Sequence, residues 1–208
     1  MSGSAASAPP TVIFDLDGVF RHWNDDQIDE VETAFGLEPR TILSVAFSPG
    51  LGREAVTGQL SYREWMDEIR RRVIAEHGDS VAGALDEWEA IVGLVDTSML
   101  RMLRSVRAHT TAALLSNGTT RLRRDLHVLD LLDEFDQIFN TAELGLAKPD
   151  PAVFVLVCDT LGVAPADALF VDDLAENVEG ARTAGLRAHQ HLDQAGTEAF
   201  LRAEGIPI

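Results

Sequence analysis

Thr11-Val12-Ile13-Phe14-Asp15-Leu16-Asp17-Gly18-Val19 is the stretch on which the fold turns. Its first four residues are apolar or β-branched and read as a buried strand, which breaks into acidic residues and a glycine. In an open α/β sheet, ligands bind beyond the carboxyl ends of the strands. Two aspartates spaced i, i+2 leave a strand end on the same side, and Gly18 lets the chain turn sharply behind them. Alone, Asp-x-Asp-Gly is also an ordinary acidic turn, so its meaning depends on what else reaches the same edge.

Working outward, similar runs stand at Ala112–Leu115, Gln137–Phe139 and Ala168–Val171, with a weaker one at Arg187–His189. The stronger runs lead toward helical patterns, which predicts a doubly wound, mostly parallel Rossmann-like α/β sheet covered by helices. Between the first and second runs lie about a hundred residues that read as helical throughout. Ile28, Val31 and Phe35 share a face, with Gly36 as a stop. Ser61 and Glu64 form a capping-box pattern ahead of Tyr62, Trp65, Met66, Ile69, Val73 and Ile74 at helical spacing. Val81, Leu85, Trp88 and Val92 make a third stripe, and Met99, Met102, Leu103 and Val106 a fourth. The aromatic and methionine stripes read as core packing. The expected organisation is a disordered tail over 1–10, an α/β core from 11–20 and 96–208, and a helical lobe over 21–95.

Three further strand ends add chemistry. Ser116-Asn117-Gly118 offers a hydroxyl and consecutive N–H groups suited to a phosphate oxygen. Lys148 stands just before Pro151, which fits the first turn of a helix. Asp172-Asp173 supplies hard oxygen ligands of the kind magnesium prefers, or else an acidic helix cap. Together the four ends present four aspartates, a serine and a lysine on one edge. Each close like-charged pair costs about 4 kcal/mol at an effective dielectric near 20. The cluster therefore implies a divalent cation acting with Lys148.

Composition points the same way. The chain has 208 residues and a net charge of −17, which gives it no long-range attraction for nucleic acid or an anionic membrane. It also repels phosphorylated metabolites at a distance, so a phosphate site must create its own local positive field. No apolar run reaches the roughly 20 residues that span a bilayer. The small, polar first ten residues do not read as a secretory signal. Cys158 is the single cysteine, which suits a cytoplasmic location.

With Asp15/Asp17, Ser116, Lys148 and Asp172/Asp173 in this order, the sequence resembles the haloacid dehalogenase superfamily from about Thr11 to His191. The helical insert looks like that family's helical cap. Phe47-Ser48, Gly58, Ser61 and Trp65, with Asn177 after Asp172-Asp173, resemble the branch of epoxide hydrolase phosphatase domains and sugar-phosphate phosphatases. The resemblance implies a small phosphorylated metabolite as substrate, Asp15 as a nucleophile that becomes phosphorylated, and Asp17 as general acid and base. Ser116 and the Asn117 N–H would hold phosphoryl oxygens, and Lys148 would neutralise charge. Mg2+ would sit on Asp15, the Asp17 carbonyl and Asp173, with Asp172 coordinating or binding a metal water and Asn177 orienting the acidic pair or Lys148. Dehalogenases of the family lack the second aspartate and the metal-binding acids, so dehalogenation is not expected.

Other readings are a phosphomutase of the β-phosphoglucomutase type, a signalling receiver domain, and a regulatory protein that retains the fold. Receivers are about half this size and place their acidic pair first. Arg53, in the polar segment Ser48–Arg53, and His22, where the lobe begins, are candidate substrate contacts. His189 and His191 are spaced to face one way but have no third metal ligand nearby.

Overall fold

The computed structural model describes residues 9–208. β1 (Thr11–Phe14) is followed by the two-residue β2 (Arg21–His22) and then by five helices of the insert. These are α1 (Asp25–Ala34), α2 (Thr41–Ala46), α3 (Leu51–Val56), α4 (Tyr62–His77) and α5 (Ala82–Ala90). β3 (Leu94–Val95) leads out of the insert into α6 (Thr97–Arg107), β4 (Ala112–Ser116) and α7 (Leu122–Val128). Next come β5 (Gln137–Asn140), α8 (Thr141–Leu144), α9 (Pro151–Leu161) and β6 (Ala168–Asp172). The chain closes with α10 (Ala175–Thr183), β7 (Arg187–Gln190) and α11 (Gln194–Ala203). Of the expected tail, residues 1–8 lie outside the described residues. Thr110 Oγ1 donates to the Pro10 carbonyl at 2.9 Å.

The sheet runs β5-β4-β1-β6-β7 with every neighbouring pair parallel. Alternation along β1 divides the core. Val12 and Phe14 pack with Leu103, Leu114 and Leu126 on one face, while Ile13 packs with Leu115, Phe154 and Phe170 on the other. Each such side chain contributes roughly 1.5–3 kcal/mol on burial. Because β1 is central and flanked by β4 and β6, its carboxyl end is the switch point at which strand order reverses. Asp15 begins there.

The insert has its own core, in which Ile42, Trp65, Ile69, Val73 and Leu85 meet. The capping box is present: Glu64 N–H donates to Ser61 Oγ at 3.3 Å, and Ser61 N–H donates to Glu64 Oε2 at 2.8 Å. The insert enters and leaves side by side, with Arg21 opposite Val95 and His22 opposite Leu94 in an antiparallel ribbon.

Two expectations are corrected. The segment Ser48–Arg53 is not a continuous polar break, because α3 begins at Leu51 and buries Leu51, Gly52 and Ala55. The third stripe ends early, since α5 stops at Ala90 and Val92 lies beyond it. Both α2 and α3 went unread for a physical reason. Each is six residues long and lacks a side-chain N-cap, too short for a helical period to show. Among the described residues, no helix is long and apolar enough to cross a membrane.

Candidate active site

The site is built on the carboxyl ends of β1, β4 and β6. The Asp15 N–H donates to the Val171 carbonyl at 2.8 Å, which fixes Asp15 against β6. Lys148 Nζ lies 2.7 Å from both Asp15 Oδ1 and Asp172 Oδ2, with side-chain exposures of only 1% for Lys148, 7% for Asp15 and 0% for Asp172. Asn117 holds the lysine from the backbone: its Nδ2 donates to the Lys148 carbonyl at 3.0 Å, and its Oδ1 accepts from the Lys148 N–H at 2.9 Å. Asp172 is fully engaged. Asn177 Nδ2 donates to both its oxygens at 3.0 Å, and the Leu174 N–H donates to Oδ1 at 2.8 Å.

Oxygens of Asp15, Asp172 and Asp173 all lie within 4.8 Å of one another. Gly18 makes room for this arrangement. It has φ +75°, and a Cβ there would stand 2.2 Å from Asp173 Oδ2. The electrostatics show a shortage of positive charge. Burial pushes the Asp15 carboxyl up to about 8, against the pull of Lys148 and helped by the charges of Asp172 and Asp17. Burial and the neighbouring Asp172 also raise Asp173. Burial opposes the charge on Lys148, but Asp15 and Asp172 outweigh it and hold that ammonium above the usual lysine value. One lysine thus serves three crowded carboxylates, a hard-oxygen donor set that suits Mg2+. Ser116 ends β4 at the same edge, and its Oγ is buried without a hydrogen-bond partner. That orphaned hydroxyl is consistent with a site meant to receive a further oxygen ligand.

Asp17 points elsewhere. Arg21 grips it through Nε–Oδ1 at 2.7 Å and Nη2–Oδ2 at 2.9 Å, and Trp23 Nε1 donates to Oδ1 at 2.9 Å. Its carboxylate is not one of the three-carboxylate cluster but, with Asp15, lines a cavity of about 590 Å³ between core and insert. His22 lines that cavity and lies 3.5 Å from Asp96 Oδ2. Arg53 does not line it. α3 turns Leu51 and Ala55 inward and leaves Arg53 exposed. His189 instead stacks on Phe200 with ring centroids 5.0 Å apart, and His191 Nδ1 pairs with Thr197 Oγ1 at 2.7 Å.

Sequence reasoning missed the seam between core and insert. Arg121 pairs with Asp125 at 2.9 Å, hydrogen-bonds the Tyr62 hydroxyl, and donates to the Glu89 carbonyl at 3.1 Å. Its guanidinium lies 4.3 Å from the Tyr62 ring centroid, and the Tyr62 N–H donates to Thr120 Oγ1 at 2.8 Å. Arg121 is one of three arginines in Arg121-Leu122-Arg123-Arg124, with no local mark to single it out. Arg21 is likewise unmarked, because the four-residue spacing from Asp17 is not helical.

The model of a haloacid dehalogenase-like hydrolase matches residues 9–185. The chain belongs to that family. Among curated relatives, phosphoglycolate phosphatase 1 of Pseudomonas aeruginosa is 32% identical over 197 residues, covering 88% of this chain and 69% of its own. Phosphoserine phosphatase of Thermus thermophilus is 29% identical over 148 residues, covering 65% and 59% respectively. A HAD family enzyme from Bacteroides thetaiotaomicron, solved with magnesium and inorganic phosphate, superposes with TM-score 0.71 at 20% identity, covering 88% of this chain and 94% of its own. That likeness establishes the shared HAD fold, and the curated relatives make this hydrolase an enzyme of the phosphatase class.

Proposed function

We propose that this HAD-type enzyme is a magnesium-dependent phosphatase that hydrolyses a small phosphomonoester through an aspartyl-phosphate on Asp15. The observation that carries the reading is the array Asp15–Lys148–Asp172 with Asp173 beside it. Asp15, Lys148 and Asp173 of the array line a cavity large enough for a metabolite. Asp15 attacks phosphorus, its oxygen bonding as the ester P–O bond breaks. Asp17, protonated and turned from Arg21 and Trp23 toward the bound ester, gives a proton to the departing oxygen. In the second half Asp17 takes a proton from water as that water attacks the phospho-aspartate, which returns Asp15 and releases phosphate.

Lys148 offsets negative charge between nucleophile and phosphoryl group, while Ser116 Oγ and the Asn117 N–H bind phosphoryl oxygens. Asp15 and Asp173, with the Asp17 carbonyl, would hold magnesium. Asp172 is already occupied by Lys148, Asn177 and the Leu174 N–H, which favours a positioning role for it over a direct one. When bound, the magnesium ion supplies further positive charge against the phosphoryl oxygens and keeps Asp15 ionised. The retained Asp17, Asp172 and Asp173 argue against dehalogenation, although some solved structures of this fold are dehalogenases.

The intermediate is directly testable. Acid-quenched enzyme turning over a phosphomonoester is expected to carry one phosphoryl group on the peptide containing Asp15, labile to hydroxylamine. Turnover with the label absent, or on a serine, would overturn the mechanism.

A further inference from the structure

All three tryptophans of the chain and its single tyrosine line the cavity, Trp23 beside Asp17 and the others with Phe47 and the aliphatic Ile28, Leu43, Val56 and Ile91. Trp65 is the hub, with centroids 5.8 Å from Phe47, 5.9 Å from Tyr62 and 6.3 Å from Trp88. Its Nε1 is satisfied by the Ala46 carbonyl at 3.0 Å, so its wall needs nothing polar from a ligand. From sequence these residues read as packing. Trp65 does pack the insert core, yet the same cluster also lines the cavity that Asp15 lines.

The charges of the cavity are already matched. Lys148 lies between Asp15 and Asp172, Arg21 is held by Asp17, and Arg121 by Asp125. Arg21 Nη1 makes no hydrogen bond, but it is buried 3.8 Å from Asp125 Oδ2, between two carboxylates. Asp25 adds a further negative group to the lining. Among the described residues of the lining, no arginine or lysine is left without a carboxylate to meet a second anionic group on a substrate.

We infer that the alcohol released by this enzyme is uncharged and carries a planar ring, the ring lying against Phe47, Tyr62, Trp65 and Trp88. The inference rests on the phosphatase reading and deepens it. Offset or edge-to-face ring contacts favour such a group over an alkyl chain of equal area. A carboxylate in the same place would lose its hydration without gaining a partner. The substrates named in the curated relatives, phosphoglycolate and phosphoserine, are thus poor fits for this cavity.

The test compares kcat/KM for primary alkyl esters, so that leaving-group chemistry stays nearly constant: 2-(naphthyl)ethyl, n-hexyl and ethyl phosphate, phosphoglycolate and phosphoserine. The naphthylethyl ester is expected to exceed phosphoglycolate and phosphoserine by at least about tenfold and to exceed n-hexyl phosphate. The naphthylethyl-to-ethyl ratio should fall about three- to tenfold in Phe47→Ala and in Trp88→Ala. Preference for either carboxylate ester would overturn the inference while leaving the phosphatase reading intact. Parity of hexyl with naphthylethyl phosphate would overturn the ring requirement. Absence of turnover on every ester, with folded protein and magnesium, would remove the phosphatase reading and this inference with it.

Discussion

Replacing Lys148 with methionine keeps the length of the side chain and removes the charge that separates two buried carboxylates. The ammonium sits 2.7 Å from Asp15 and from Asp172. At an effective dielectric near 20, each contact is worth roughly 6 kcal/mol. Desolvation of the lysine takes back several kcal/mol, and breaking a buried pair by deleting one partner typically costs about 3–5 kcal/mol. Lys148→Met should therefore lower the unfolding free energy by about 3–5 kcal/mol near pH 7.5. Burial already pushes the Asp15 carboxyl up to about 8 and removal of the lysine raises it further, so the loss of stability should be about the same at pH 5. Loss of the positive group beside Asp15 should also lower kcat about 10²- to 10³-fold at saturating magnesium. Urea unfolding at the two pH values and steady-state hydrolysis of p-nitrophenyl phosphate measure both effects. A variant within threefold of wild type in kcat and within about 1 kcal/mol in stability would refute the role assigned to Lys148.

Other perturbations probe the shell around that centre. Asn177→Ala removes both Nδ2 contacts to Asp172; it should cost about 1.5–3 kcal/mol in urea unfolding and lower kcat/KM about tenfold. Magnesium at about 100 times its Kd should stabilise wild type by about 2.7 kcal/mol. That gain should vanish in Asp173→Asn and weaken in Gly18→Ala, whose Cβ would meet Asp173 at 2.2 Å; thermal unfolding with and without the metal measures it. Burial lowers the pKa values of His189 and His191 below the usual 6.5, so the unfolded chain binds the protons more readily. Their contribution to stability is complete above pH 6.5 and is lost as pH falls through the depressed values. In urea unfolding, His191→Gln should therefore lose less stability, or gain more, than wild type between pH 7 and 5.

The comparison of sequence with structure divides by length scale. Strands such as Thr11–Phe14 were legible because a parallel sheet buries them on both faces and writes them as unbroken apolar runs. Asp15, Ser116, Lys148 and Asp172 were legible because each stands at or just beyond a strand end or helix start, where topology brings them to one edge. α4 announced itself through its Ser61–Glu64 box and sixteen residues of period. α2 and α3 did not, and mistaking α3 for a loop is what made Arg53 a candidate contact. Partners distant in sequence, such as Arg121 with Tyr62, follow from how the insert folds back on the core. No local pattern encodes that approach. The double use of Trp65, packed in the insert and facing the cavity, was hidden for the same reason.

The most direct test of the central claim is hydrolysis of p-nitrophenyl phosphate by wild type and Asp15→Asn, each with magnesium and with excess chelator. Multiple-turnover release that requires magnesium and falls at least about 10³-fold in Asp15→Asn is the predicted result. Turnover unchanged in the variant, or indifferent to the metal, would contradict it.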